Sequence, residues 1–62
     1  MIILKSPSNK LYRVLEEDLI HFARIHKLNF TSLKRVVNKL QKSTDGWQLP
    51  DNLDILFPEW GE

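Results

Sequence analysis

At 62 residues, with 42% apolar residues, no cysteine and a formal net charge of +1, the chain reads as one small globular domain. This composition excludes a disulfide framework and a thiolate metal site, and it argues against disorder. A chain of this size buries only about 60% of the surface that its unfolded form exposes, so its stability margin is thin.

The apolar opening, Met1-Ile2-Ile3-Leu4, is interrupted at Lys5. It is too short for a signal-peptide core, and no later stretch approaches the ~20 apolar residues of a membrane span. A cytoplasmic protein with no membrane partner is expected. Ser6-Pro7-Ser8-Asn9 is turn chemistry, and the β-formers on either side of it predict a short hairpin over 1–15. Two strands alone are marginal in water and need a helix packed against them.

Glu16-Glu17-Asp18 places three negative charges where the helix dipole favours them. Leu19, Phe22 and Ala23 follow at helical spacing, with Ile20 and Ile25 widening the apolar face, which predicts a helix over about 17–26. Leu28-Asn29 reads as a short turn, after which either Asn29 or Thr31 is suited to cap a second helix over about 30–41. Leu33, Val36, Val37 and Leu40 recur at i, i+3, i+4 and i+7, the pattern of one buried stripe. Thr31, Ser32, Lys34, Arg35, Asn38 and Lys39 fall on the opposite face. Ser43-Thr44-Asp45-Gly46 then reads as a turn and Trp47-Gln48-Leu49 as a short strand. The segment 50–62 carries two prolines and a glycine; it is expected to be an irregular tail with room for one helical turn around Asp51 to Phe57.

Charge is distributed unevenly along this path. Residues 19–44 hold Arg24, Lys27, Lys34, Arg35, Lys39 and Lys42 and no acid, whereas residues 45–62 hold Asp45, Asp51, Asp54, Glu59 and Glu62 and no base. A basic middle suits a polyanion. Two short helices with a tight junction are the minimal helix-turn-helix, in which the exposed front of the second helix enters the major groove. On that helix Lys34, Arg35 and Lys39 suit phosphates. Asn29, Thr31, Ser32 and Asn38 suit base edges or phosphate oxygens, and Lys42 and Ser43 extend the basic stretch. The competing interpretation is an ordinary solvated helix face.

Catalysis is poorly supported. His21 and His26 are five apart with no cysteine to join them, which is poor spacing for a metal, and a helix C-terminal role suits His26 better. The carboxylates at 16–18 are explained by the helix start, and two glycines cannot build a phosphate-cradling loop. Neither an enzyme nor a cofactor is expected. RNA is a weaker variant of the nucleic-acid reading, since no aromatic sheet surface is apparent. Trp47 is expected in the core. Trp60 is open to docking of the tail or to partner contact.

Ser6-Pro7-Ser8-Asn9-Lys10-Leu11-Tyr12-Arg13-Val14, Phe22-Ala23, His26-Lys27-Leu28-Asn29, Ser32-Leu33, Val36, Asn38 and Gly46-Trp47 form an ordered series. It resembles the nuclease-associated modular DNA-binding domains that accompany HNH domains in phage and intron-encoded homing endonucleases. The resemblance spans roughly residues 6–49. It implies core roles for Phe22, Leu28, Leu33, Val36 and Trp47, and DNA contact from Asn29, Thr31, Ser32, Lys34 and Arg35, with Lys39, Lys42 and Ser43 near phosphates. The family commonly has glycine where this chain has Lys39, so the second helix is expected to run on through Leu40. Asp45 replaces a usual basic residue, and the module is expected to stand alone, without a nuclease domain.

The expected fold is therefore α+β, mainly α. A hairpin packs on a helix-turn-helix pair in a unit spanning 1–49, followed by a short strand or turn and an acidic, apolar tail over 50–62. The expected function is double-stranded DNA binding by a small phage-type protein in the host cytoplasm. The alternative is a phage-type modulator that grips a host protein through Ile55, Leu56, Phe57 and Trp60, anchors of the kind found at protein contacts.

Overall fold

The computed structural model describes residues 1–61; Glu62, the last of the tail acids, lies outside them. The fold is α+β. Strands β1 (Ile2–Lys5) and β2 (Leu11–Val14) form the expected hairpin, and a 3-10 turn (Glu16–Asp18) leads into α1 (Leu19–Ile25). Helix α2 (Phe30–Val37), β3 (Ser43–Thr44), β4 (Trp47–Gln48) and α3 (Asn52–Leu56) follow. The sheet runs β2-β1-β4-β3, so the N-terminal strand is internal and joins the two hairpins.

Strand pleating assigns the two faces of this sheet. Ile2 and Leu4 pair with Val14 and Tyr12, and these four side chains share one face. That face meets the helices: Leu4, Val14, Leu19, Ala23, Leu33 and Trp47 form the core, with Phe22, Leu28, Phe30 and Val37 packed against it. Leu4 and Leu33 are wholly buried, each contributing roughly 1.5–3 kcal/mol of transfer free energy. Lys5, Leu11, Arg13 and Gln48 alternate to the other face.

Several features differ from the sequence expectation. Residues 43–46 are not a simple turn but the start of a second hairpin, in which Thr44 pairs with Trp47. The two residues between them, Asp45 and Gly46, have φ of 49° and 86°, the primed turn that matches strand twist. The two hairpin turns touch: a Cβ on Gly46 would approach Pro7 Cγ to 2.7 Å. Helix α2 stops at Val37 rather than near residue 41, and Leu40, expected in the stripe, is 77% exposed. Ile25, expected on the apolar face of α1, is also largely exposed.

Both helices end in the same way. Lys27 and Lys39 take left-handed backbone, φ 57° and 62°. The Leu28 N–H returns to the Ala23 carbonyl at 2.7 Å, and the Leu40 N–H to the Arg35 carbonyl at 2.8 Å. The accompanying bonds, Lys27 N–H to Arg24 and Lys39 N–H to Val36, complete a Schellman motif at each end. Lysine thus terminates α2 with the backbone that glycine adopts most readily.

The tail folds back. Asp51 and Asp54 form a reciprocal capping box at the start of α3, within the span where one helical turn was expected. Beyond α3, the Leu11 N–H donates to the Glu59 carbonyl and the Gly61 N–H to the Leu11 carbonyl, both at 2.8 Å, so Trp60 bridges to Leu11 in parallel on the outer edge of β2. Leu11 is buried there. A Cβ at Gly61 would run into the Tyr12 ring, so glycine lets the chain pass this edge.

Candidate nucleic-acid interface

Helix α2 is fastened from one side only. Leu33 and Val36 point into the core, while Phe30 and Val37 flank them, half-buried. Thr31, Arg35 and Asn38 stand at i, i+4 and i+7 and are all exposed, which makes them one line along the outer surface. Lys34 lies beside that line, its Nζ 5.9 Å from the Phe30 ring centroid, at the outer limit of a cation–π contact. Ser32 is half-buried and sits at the border with Val36, so it belongs to the flank rather than to the opposite face.

Asn29 is the N-cap; its Oδ1 accepts the Ser32 N–H at 3.1 Å. The choice between Asn29 and Thr31 is thereby made, and Thr31 is left on the outer line. The cap engages the side-chain oxygen of Asn29, so the amide nitrogen is the group it has left to donate. Lys39 projects from the corner after α2. Together with Lys42 it borders an open groove of about 310 Å³ whose floor is apolar Val36, Leu40 and Leu49. Ser43 lies in β3, where its carbonyl accepts the Gln41 side-chain amide at 2.6 Å. The eight proposed contact residues are thus not equivalent. Thr31, Arg35 and Asn38 form the centre, Lys34, Lys39 and Lys42 the margin, and Asn29 and Ser32 the start of the helix.

The junction His26–Asn29 between α1 and α2 is held by packing as well as by the backbone. His26 is the C-cap of α1, and its ring packs within 5.8 Å of the Phe22, Trp47 and Tyr12 rings, centroid to centroid. Phe22 meets Trp47 edge-on at 5.2 Å. This aromatic group fixes the end of α1 onto both hairpins. No three acidic or histidine side chains among the described residues gather in a metal-binding arrangement.

Among the described residues, two acids of the tail are engaged by lysines of the first hairpin. Asp54 pairs with Lys5 at 3.1 Å and Glu59 with Lys10 at 3.3 Å. The backbone N–H of Asp51 and the Lys5 ammonium hold the Asp54 carboxyl below its ordinary pKa. Trp60 receives the Arg13 guanidinium over its ring at 4.3 Å. The apolar side chains of α3 and of its C-cap Phe57 do not dock: Leu53, Ile55, Leu56 and Phe57 are each more than half exposed. Sequence reasoning left their location open, because amphipathic spacing says that a face exists and not which way it is turned.

No protein-family model matches the chain, and no curated protein and no solved structure matches it either. Among the described residues, no helix is long and apolar enough to cross a membrane.

Proposed function

We propose that this protein acts by binding double-stranded DNA, with α1 and α2 as a helix-turn-helix and α2 as the element that enters the major groove. The observation that carries this reading is the outer line Thr31–Arg35–Asn38, flanked by Lys34 and Lys39, on a helix whose other side is rigidly seated in the core. Cations there neutralise phosphates and release counterions, while Thr31 and Asn38 are short polar groups suited to base edges. The absence of acid between residues 19 and 44 supports the reading, as does the engagement of Asp54 and Glu59 with Lys5 and Lys10. The role is that of a binding module, sequence-specific or accessory, of the kind phage and intron-encoded nucleases carry, and not of a catalyst.

Duplex retardation across a salt series tests this. The wild-type protein retards duplex at low salt, and Arg35→Ala and Lys34→Ala each flatten the slope of log affinity against log salt by about 0.9. A wild-type protein that retards no duplex at low salt eliminates the proposal.

A second reading has its own observation. Four large apolar side chains, Leu53, Ile55, Leu56 and Phe57, are turned to solvent within five consecutive positions, and contiguous apolar surface of this kind marks contact sites. Under that reading Ile55, Leu56, Phe57 and Trp60 grip a host protein. Deleting residues 50–62 is a blunt test, because it uncovers Leu11 and breaks the Lys5–Asp54 pair. Leu56→Ser with Phe57→Ser is sharper. The double variant retains duplex affinity under the first reading and abolishes capture of the host partner under the second.

A further inference from the structure

Four non-glycine residues adopt positive φ: Asn9, Lys27, Lys39 and Asp45. Asn and Asp visit this region readily because their short side chains bond locally; lysine has no such compensation, and glycine would adopt it at no steric cost. The two lysines occupy the equivalent position, one residue beyond the C-cap, at the ends of α1 and α2. A favourable interaction with the helix dipole does not require a cation there. Arg24 already lies in the last turn of α1, and Lys34 and Arg35 lie in the last turn of α2. Both lysines are exposed, and among the described residues neither forms an ion pair. The Schellman bonds at each end are made by the backbone whichever residue stands there, so the long cationic side chain is not needed for the cap and is left for a role in binding.

Their placement along α2 supplies that role. Lys27 lies just before the helix and Lys39 just after it, with Thr31 and Arg35 on the outer line between them. The eight residues of α2 rise about 12 Å, close to the ~12 Å width of the B-DNA major groove. We infer that Lys27 and Lys39 are a pair of phosphate clamps, one at each end of α2, that hold the helix across the groove, between its two phosphate rails, rather than letting it enter end-on. This rests on the DNA-binding reading and adds to it Lys27, a contact outside the second helix, and a docking orientation. The Schellman backbone fixes the Cα of each lysine, so a long and otherwise mobile side chain starts from a defined point beside the phosphate rail.

Glycine substitution separates fold from binding, because glycine is the better residue for this backbone. Lys27→Gly and Lys39→Gly leave the melting temperature level or raise it by a few degrees. Each nonetheless flattens the salt slope by about 0.9 and weakens duplex affinity about eightfold at 0.1 M salt, the effect of one released counterion. Lys27→Arg and Lys39→Arg retain the slope because the cation is kept, whereas a role limited to backbone geometry predicts that the glycine variants retain it as well. Asparagine, neutral and tolerant of the same φ, serves as a second replacement should either glycine variant fold poorly. The outcomes are distinguishable. If the wild-type protein binds no duplex, the DNA-binding reading fails and the clamp with it. If the wild-type protein binds and Arg35→Ala weakens it while the glycine variants keep the full slope, the clamp alone is overturned. An effect at only one of the two lysines overturns the two-ended clamp as well, in favour of a helix that enters by one end.

Discussion

Helices α2 and α3 begin alike. Asn29 caps the first by accepting the Ser32 N–H, and Asp51 caps the second by accepting the Asp54 N–H at 2.9 Å. Beyond the cap they are reversed. Helix α2 turns Leu33 and Val36 inward and its charges outward, as apolar transfer free energy requires. Helix α3 turns Asp54 inward to Lys5 and leaves Leu53, Ile55, Leu56 and Phe57 largely in water. The first is held by the core. The second is held by its cap, one ion pair and the chain that continues to the β2 edge. A helix of five residues is unstable in isolation, so α3 belongs to the low-stability part of the molecule and α2 to the cooperative part. Burial, rather than helical state, therefore distinguishes what the fold needs from what it merely carries.

This contrast can be broken most directly by cavity formation. Leu33→Ala removes a wholly buried side chain and is expected to cost about 2–5 kcal/mol, a large share of the stability of so small a domain. The matching change in α3, Leu56→Ala, is expected to stay within about 0.5 kcal/mol. Urea denaturation followed by circular dichroism compares them; similar costs would show that α3 is part of the core after all. The caps give a smaller version of the same test. Asn29→Ala is expected to cost about 1 kcal/mol globally, because α2 unfolds only with the domain. Asp51→Ala instead opens α3 locally, raising amide exchange from Asn52 to Phe57 while the exchange of Leu33 and Val36 is unaffected.

Acid sharpens the comparison further. The Asp54 carboxyl has a folded pKa below its ordinary value of 3.8, so as pH falls the unfolded chain takes up the proton first. Its contribution is complete above about pH 5 and is lost as pH drops through the lower, folded value. The tail should therefore loosen below about pH 4, before the core does. The Gly61 amide reports this, since it is bonded to Leu11 in the closed tail. Asp54→Asn removes this group's pH dependence; a Gly61 amide that still loosens with the wild-type profile would assign the transition to another carboxylate. The smallest expected effect is on ligand binding from the wrong helix: Phe57→Ser should change duplex affinity by less than twofold, while Arg35→Ala weakens it about eightfold at 0.1 M salt.

Much of the scaffold was legible in the residues. The hairpin followed from two β-rich runs around Ser6–Asn9, and the positions of α1 and α2 followed from apolar periodicity. The core roles of Leu33 and Val36 were legible for the same reason, since spacing and residue type pointed the same way, and that of Trp47 from its place just after a turn, where it closes over the helix pair. The second hairpin was less visible, although Asp45-Gly46 is the strongest short-range hairpin signal. Its strands are only two residues long, too short to display alternation. The end of α2 departs from the periodicity because Leu40 continues the i+3, i+4 spacing, whereas Lys39 turns the backbone left-handed one residue earlier.

By itself, the sequence determined the order of the first hairpin and the two main helices, the caps available to them and the uneven charge along the chain, because propensity, periodicity and ionisation belong to neighbouring residues. Tertiary structure alone decided that β1 lies inside the sheet and that Asp54 and Glu59 reach Lys5 and Lys10. It also decided that the outer line of α2 stays open while the apolar side of α3 faces water. These are long-range choices among pairings that are individually weak, and only the packed whole makes one of them lowest in free energy.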